Sequence, residues 1–373
     1  MNILIIGNSS ECYGASNSML DMIDALKKKG ISIIVFIPRK GELVQELCRR
    51  CIKYYVIPYH FCAAVSNTPK GKMQRLWEDV WLAWRTRKTV SKCDIDLIHT
   101  NASNVDFGII LAKICGIPHI WHIRELLYED YNLKYDFPDL EKKFMLQSDS
   151  LIYISRYVAQ KRKCGTNYVV CYDGINIHKY MIHKTELFCE NVIHILYCGI
   201  ISREKGTIDA IKAVEKLVEW GYLNIHLDIV GALNEYSFRL TEYVKKKQLD
   251  RYITFHGHQK EMRLFRQSAD IAVVCSRNEA LGRVTIESML GECLVIGADS
   301  GATRELVRDG KNGYLYQAGN AGQLAQKVLS VYQNPEKSKK IIHSAKEYAA
   351  RQFESDQYAE KVCEIYNKCI KFQ

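Results

Sequence analysis

The sequence predicts an α/β protein with two doubly wound domains, each built on a parallel β-sheet. Three observations lead to this fold class. Short apolar strands alternate with amphipathic helical segments along nearly the whole chain. The pattern restarts midway, where residues 194–199 (HILYCG) echo residues 2–7 (NILIIG). A chain of 373 residues with 47% hydrophobic content can also form two ordinary cores.

The predicted strands fall into two groups, separated by a linker near residues 174–192. Those of the first half lie at residues 3–7, 32–37, 54–57, 97–100, 119–122, 151–154 and 168–171. Those of the second half lie at residues 194–199, 225–230, 253–255, 271–275 and 294–297. We therefore place an N-terminal domain at 1–185 and a C-terminal domain at 186–355, followed by an amphipathic helix at about 356–373.

The formal net charge of +10 lies mostly in the first half of the chain. Residues 1–185 contain 26 Lys and Arg against 18 Asp and Glu (+8), whereas residues 186–373 contain 26 against 24 (+2). Such an excess favours a phosphate-rich partner, either nucleic acid or an anionic membrane. No nucleic-acid-binding motif accompanies the charge, so no nucleic-acid partner is predicted.

The sequence predicts a cytoplasmic protein without a metal ion. No stretch reaches the roughly 18 consecutive apolar residues of a membrane span, and the N-terminus begins directly with a strand pattern. Cys48 and Cys51 form the only CxxC pair, with no second pair to complete a zinc site. Asp94 and Asp96 imitate a metal-binding DxD motif, but their position before a buried strand favours a loop cap.

Residues 70–92 form a predicted helix with an apolar stripe and a basic surround. The stripe consists of Met73, Leu76, Trp77, Val80, Trp81 and Trp84, at helical spacing. The basic residues are Lys70, Lys72, Arg75, Arg85, Arg87, Lys88 and Lys92. Two interpretations are open. The stripe packs against the first sheet, or it binds peripherally to an anionic membrane surface, at the inner face of the plasma membrane.

Two glutamates eight residues apart mark the strongest candidate site. Glu279 follows the strand 271–275 in a loop, and Glu287 is expected about two turns into the next helix. Gly282 lets a ligand approach the backbone, and the first N–H groups of a helix are a natural site for a diphosphate. The two carboxylates would then accept hydrogen bonds from sugar and ribose hydroxyls. This arrangement predicts a nucleotide-sugar site.

The run resembles the glutamate–seven–glutamate signature of the retaining glycosyltransferases of family 4, which share the GT-B fold. The similarity continues through Gly291, the strand 294–297, Asp299, Gly301, Glu305, Gly310 and Gly313. The resemblance implies that Glu279 contacts the transferred sugar, Glu287 the ribose, and the amides of Leu281 and Gly282 the phosphates. It also implies two Rossmann-like domains that face a central cleft, with the C-terminal helix crossing back onto the first domain.

Lys205 matches the lysine of this family, in the turn from the strand 194–199 into a helix. A cation there could neutralise the departing diphosphate. Relatives usually have an arginine directly after the first glycine of the turn, where this chain has Ile200. Arg203 is therefore a candidate for the diphosphate contact, unless the role is vacant. A solvated lysine at a helix start is the alternative interpretation of Lys205.

In the first half, the resemblance singles out His122 and a glycine turn. His122 ends a predicted strand and matches the active-site histidine of the family, although an apolar strand often holds a histidine that is only a core residue. Arg124 and Glu125 are either ligand contacts or partners of each other. Gly14 and Ala15, which follow Tyr13, match the loop that reaches the transferring phosphate and the acceptor.

The resemblance thus implies a retaining, metal-independent glycosyltransferase. It would move a sugar from a UDP- or GDP-sugar, with no further cofactor, to a glycan acceptor, most simply a lipid-linked glycan of bacterial surface polysaccharide synthesis. Two alternatives differ in class. A GT-B epimerase or hydrolase would act on the nucleotide sugar alone, and a basic binding module would have kept the fold without catalysis.

Overall fold

A computed structural model describes residues 1–12, 14–66, 68–184 and 186–371. The chain forms two compact units. The first comprises residues 1–175 together with the chain from Glu354 onward, and the second comprises residues 176–353. The sequence prediction had placed these boundaries at 185 and 355.

The first unit contains a seven-stranded parallel sheet and a separate two-stranded antiparallel one. Its strands are β1 (Asn2–Ile6), β2 (Ser32–Ile37), β3 (Lys53–Val56), β4 (Ala63–Ala64), β5 (Leu97–Thr100), β6 (His119–Ile123), β7 (Lys134–Tyr135), β8 (Ser150–Tyr153) and β9 (Tyr168–Val170). Its helices are α1 (Gly14–Lys28), α2 (Glu42–Arg49), α3 (Pro69–Lys92), α4 (Phe107–Cys115), α5 (Leu127–Tyr131), α6 (Pro138–Gln147) and α7 (Arg156–Arg162). The large sheet has the order β3-β2-β1-β5-β6-β8-β9, so the strand order reverses between β1 and β5.

The second unit contains a six-stranded parallel sheet. Its helices are α8 (Ile177–Tyr180), α9 (Thr207–Glu219), α10 (Glu235–Lys246), α11 (Arg263–Ser268), α12 (Arg283–Leu290), α13 (Thr303–Leu306), α14 (Ala321–Tyr332) and α15 (Pro335–Gln352). Its strands are β10 (Ile193–Cys198), β11 (Ile225–Val230), β12 (Ile253–Gly257), β13 (Ile271–Val274), β14 (Leu294–Ala298) and β15 (Tyr314–Tyr316). The order is β12-β11-β10-β13-β14-β15, with the reversal between β10 and β13.

All twelve predicted strands are present, and the doubly wound α/β fold is confirmed. The strands at the reversals are covered by helices on both faces, so their sequences are unbroken apolar runs. In the run Ile3–Ile6, for example, every residue is buried. The last helix, α16 (Ser355–Lys371), belongs to the first unit. Its side chains Tyr358, Val362 and Tyr366 lie in the same core cluster as the inner face of α1.

The apolar stripe of α3 divides into two rows. Leu76 and Val80 pack against the core of the first unit. Trp77, Trp81 and Trp84 are exposed by 66%, 56% and 53%. Core packing therefore accounts for the first row only, and the three tryptophans form an exposed row, which we call the tryptophan face.

Candidate functional site

Two loops at neighbouring strand ends form the candidate site of the second unit. β10 and β13 are hydrogen-bonded neighbours, and the strand order reverses between them. Ligands of doubly wound sheets bind beyond the carboxyl ends of strands at such a reversal, because the two following loops diverge and leave a crevice. The loop after β10 contains Lys205, and the loop after β13 contains Glu279.

Lys205 and Glu279 form an ion pair in this crevice. The Lys205 ammonium lies 3.0 and 3.2 Å from the two carboxylate oxygens of Glu279. Both side chains are partly buried, with 21% and 17% of their surface exposed. The structure therefore brings together two of the three residues predicted to be catalytic, and Lys205 is not merely a solvated lysine.

Glycines hold both loops in close contact with their neighbours. Gly206 has a φ of +65°, and a β-carbon there would lie 2.1 Å from the carbonyl oxygen of Cys275. Gly301 has a φ of +56°, and its β-carbon would lie 2.5 Å from the backbone nitrogen of Glu279. The carbonyl of Glu279 also accepts a hydrogen bond of 2.8 Å from the amide of Ala302. The backbone that presents the ion pair is thus fixed by packing on both sides.

Glu287 lies nearer the start of its helix than the sequence predicted. Gly282, with a φ of +90°, ends the loop, and α12 begins at the next residue. Glu287 is therefore about one turn into the helix instead of two. Its carboxylate pairs with the guanidinium of Arg266 and lies 3.5 Å from Nε of Arg283.

Sequence reasoning missed both arginines. Arg283 precedes Glu287 by four residues on one helix, a spacing that could have indicated a pair. Arg266 comes from α11, and no local pattern connects it with Glu287.

The start of α12 suits an anion. The position before the helix is Gly282, which makes no side-chain cap, so the first N–H groups lack the usual side-chain acceptor there. Leu281, which precedes Gly282, is buried, with 3% of its surface exposed. A contact between the amides of Leu281 and Gly282 and phosphates stays a prediction.

Arg203 does not join the Lys205–Glu279 pair. Its guanidinium lies 6.0 Å from the ring centre of Tyr236. Both line an open groove of about 410 Å³ with Glu204, Ile208, Arg277 and Asn278. Arg277, which sequence reasoning did not single out, brings a second guanidinium to this groove. The side chain that occupies the position of the usual arginine, Ile200, is exposed.

In the first unit, His122 lies within β6 and is fully buried. Its Nδ1 is 3.3 Å from a guanidinium nitrogen of Arg124, and its buried Nε2 has no hydrogen-bond partner within the described part of the chain. Burial, Arg124 and the neighbouring His99 hold the pKa of His122 well below its usual value. The imidazole is therefore neutral. Its contact with the transferred sugar stays a prediction.

Arg124 and Glu125 do not pair with each other. Arg124 forms a buried ion pair with Asp173, a residue that no sequence pattern singles out. Glu125 accepts a hydrogen bond of 2.9 Å from the backbone N–H of Ser103. Successive side chains of an extended segment point to opposite sides, which explains why these two neighbours diverge.

Gly14 is the first residue of α1, and a β-carbon added to it would meet no atom within 4 Å. Nothing in the described structure requires a glycine there, which agrees with a position kept clear for a ligand. The carbonyl of Ala15 accepts a hydrogen bond of 3.5 Å from the side chain of Asn101. Tyr13 lies outside the described residues.

Replacement of Gly14 with alanine should separate a ligand role from a turn role. We expect the free energy of unfolding to stay constant or rise by about 0.4–1 kcal/mol, because alanine restricts the unfolded chain and fits the helix. We expect kcat/KM for transfer to fall by about 10-fold, because the methyl group would displace the ligand. Gly322→Ala in α14, where a β-carbon has only ordinary contacts, is the control. Unchanged kcat/KM in both variants would make Gly14 a plain turn residue.

The DxD-like pair has a structural role. Asp96 accepts a hydrogen bond of 2.7 Å from the backbone N–H of Asn2, and the carbonyl of Asp94 accepts one of 2.8 Å from the Asn2 side chain. The two residues thereby tie the start of β1 to the loop before β5, as the loop-cap interpretation predicts.

Two doubly wound units, the second with a Lys–Glu pair and an uncapped helix start at its strand reversal, match the GT-B fold of glycosyltransferases. Family models agree with this class. The model of the Glycosyl transferases group 1 matches residues 181–348, and that of Glycosyltransferase Family 4 matches residues 13–179. The chain belongs to the group 1 glycosyltransferases of the family 4 type.

Individual proteins show the same relationship. An uncharacterized glycosyltransferase of Methanocaldococcus jannaschii is 26% identical over 83% of this chain and 88% of its own. The capsular polysaccharide biosynthesis glycosyltransferase CapM of Staphylococcus aureus is 24% identical over 53% of this chain and 54% of its own. The crystal structure of Anabaena HepE in complex with UDP-glucose matches 99% of this chain and 100% of its own, with a TM-score of 0.81 and 20% identity.

Proposed function

We propose that this glycosyltransferase transfers a sugar, with retention of configuration, from a nucleoside diphosphate sugar to a lipid-linked glycan acceptor of surface polysaccharide synthesis. The observation that supports it most is the Lys205–Glu279 pair beside the uncapped start of α12. A cation, a carboxylate and the start of a helix without a side-chain cap are three features that suit a diphosphate sugar at one place.

Both the chemistry of the site and the similarity to a solved structure support the proposed donor. The first turn of α12 would hold the diphosphate, and Glu287 would accept from the ribose hydroxyls. HepE, with the same fold, binds UDP-glucose. A UDP- or GDP-sugar is therefore the proposed donor class.

The proposed reaction needs neither a metal nor a protein nucleophile. When the bond between the sugar and the diphosphate breaks, negative charge grows on the leaving phosphate, and Lys205 would offset it from a fixed position. The leaving phosphate would accept the proton of the acceptor hydroxyl on the same face of the sugar. Glu279 would hold the sugar hydroxyls meanwhile.

The acceptor is proposed from the relatives. CapM is named for capsular polysaccharide biosynthesis. Its likeness to this chain favours a growing surface glycan, which is commonly carried on a lipid, as the acceptor.

A thermal-shift screen with UDP, GDP and ADP tests the donor site, because a ligand that binds only the folded protein raises the midpoint with the logarithm of its concentration. The nucleotide that binds then identifies which nucleotide sugars to incubate with and without a glycan acceptor. Turnover that depends on the acceptor would support the proposal. Turnover of the donor alone would favour an epimerase or hydrolase, and no nucleotide binding would favour a binding module.

We also propose that the tryptophan face attaches the enzyme to an anionic membrane surface, where a lipid-linked acceptor would lie. No helix in the described residues has the length and apolarity needed to cross a bilayer. Trp81 and Trp84 each lie beneath a guanidinium, 4.5 Å from Arg85 and 4.0 Å from Arg87. Exposed indoles beside cations are what an anionic interface favours. Each nearby Lys or Arg contributes about 1 kcal/mol to such attachment.

Replacing Trp81 and Trp84 with serine is expected to abolish binding to liposomes of anionic lipid at low salt. The fold should survive, because both indoles are exposed and outside the core. Co-sedimentation measures binding, and circular dichroism checks the fold. Trp220→Ser, at an exposed tryptophan of the second unit, is the matched control. Loss of the fold, or wild-type protein that never sediments with the vesicles, would refute the attachment.

A further inference from the structure

Three buried histidines on β5 and β6 differ in their hydrogen bonding. Both ring nitrogens of His119 have partners, Oγ of Ser148 at 2.9 Å and Oγ1 of Thr100 at 2.8 Å. His119 is therefore a satisfied core residue. His99 contacts the Tyr366 hydroxyl at 2.7 Å through Nδ1, and its buried Nε2 has no hydrogen-bond partner in the described structure. His122 is the third, and its partner is an arginine.

The contact with Arg124 decides which nitrogen of His122 carries the proton. A guanidinium has only N–H donors and no acceptor. The Nδ1 of His122, 3.3 Å from Nη1 of Arg124, must therefore accept. In a neutral imidazole the other nitrogen then holds the hydrogen. His122 is thus a donor through Nε2–H.

Arg124 itself is held directly by two other segments of the first unit, and a third segment supports one of its partners. Its guanidinium pairs with the carboxylate of Asp173, and both side chains are only 2% exposed. Nη1 also lies 3.2 Å from Oδ1 of Asn101 after β5. The hydroxyl of Ser18 in α1 donates to Asp173 at 2.7 Å. The guanidinium therefore has little freedom to turn away from His122.

The Nε2–H of His122 has no acceptor within the described part of the protein, although it is buried. The nearest histidine ring, His99, is 5.5 Å away between centroids. A buried donor without an acceptor is unfavourable, because it loses the hydrogen bond that water would make with it. An unsatisfied buried polar group calls for an explanation, and a functional role is one of those known.

We propose that Arg124, clamped by Asp173, is a positioning residue that fixes His122 in the Nε2–H tautomer and so presents a hydrogen-bond donor to an oxygen of the transferred sugar. The sugar contact rests on the proposed function. The tautomer does not, because it follows from contacts within the first unit.

The tautomer is measured by two-bond ¹H–¹⁵N NMR spectra of the ¹⁵N-histidine-labelled full chain without ligand, with His122 assigned from the loss of its signals in His122→Asn. We expect the wild type to hold the proton on Nε2 only. Arg124→Lys keeps a charged donor and should keep this tautomer. Arg124→Gln combined with Asp173→Asn removes the charge from both partners and offers Nδ1 an acceptor as well as a donor. We expect a measurable Nδ1–H population in this double variant.

The matched control is Arg162→Gln with Glu141→Gln, which neutralises another ion pair of the same unit. It should leave His122 in the wild-type tautomer. The clamp would be overturned if the wild type held the His122 proton on Nδ1. It would also be overturned if the Arg124/Asp173 double variant kept the wild-type tautomer of His122. If the double variant does not fold, the tautomer of His122 is measured in Arg124→Gln alone, and the same outcomes apply. Wild-type turnover by His122→Ala would instead overturn the sugar contact and leave the tautomer result intact.

Discussion

Replacing Lys205 with alanine is expected to lower turnover by about 100-fold or more while the fold persists. A fixed cation beside the leaving diphosphate stabilises charge that grows only in the transition state, and loss of such a group typically costs this much. The fold should persist because the Glu279 side chain is 17% exposed, so that water can hydrate its carboxylate when Lys205 is removed. Release of nucleoside diphosphate from the donor, measured with acceptor present, gives the rate.

Lys327→Ala is the control for this experiment. Lys327 belongs to the same unit, is exposed to a similar extent as Lys205 (25% against 21%) and also pairs with a carboxylate, that of Asp309 at 3.4 Å. Arg203→Ala is the informative companion. A loss nearly as severe as that of Lys205 would show that Arg203 replaces the arginine missing at Ile200, and wild-type activity would show that this role is vacant. Wild-type turnover by the Lys205 variant would exclude the proposed chemistry.

Replacing Glu287 with alanine is expected to weaken nucleotide binding and also to destabilise the second unit by about 3 kcal/mol. The second effect follows from the ion pair with Arg266, whose buried guanidinium would lose this carboxylate. Glu279→Ala should mainly lower turnover, since contacts to the reacting sugar strengthen as charge develops. Denaturant unfolding gives stability, and calorimetric titration with the nucleotide from the screen gives affinity.

Two further variants separate the effects. Glu287→Gln keeps the shape of the side chain and one acceptor oxygen. Nucleotide affinity can therefore be compared in a variant whose second unit is less perturbed than in Glu287→Ala. Glu292→Ala removes a carboxylate of the same unit that pairs with Lys346 at 2.6 Å. It should destabilise the unit without changing nucleotide affinity. Equal affinity in the wild type and in both Glu287 variants would defeat the ribose assignment.

The central strands were predictable because each parallel strand at a strand reversal is buried on both faces and must be apolar along its length. β15 was missed because three residues, Tyr314 to Tyr316, are too few to show a period. β4 and β7 were missed for the same reason, with two residues each.

Candidate residues were predictable where one loop or turn holds the whole pattern. Glu279, Gly282 and Glu287 lie within nine consecutive residues, so their spacing alone indicates a helix start between two carboxylates. Their partners were not predictable. Arg266 reaches Glu287 from a separate helix, and Asp173 reaches Arg124 from 49 residues away in the chain.

The sequence by itself determined the two doubly wound units, the order of their strands and helices, and the loops on which Lys205 and Glu279 lie. Apolar periodicity and turn residues act over a few neighbours, and a sequence displays them directly. Only the tertiary structure decided which histidine of β6 has both ring nitrogens hydrogen-bonded. His119 and His122 look alike in the sequence, but strand alternation sends them to opposite faces, where one meets two hydroxyls and the other a guanidinium. Partners of this kind come from distant segments, and the chain brings them together only when it folds.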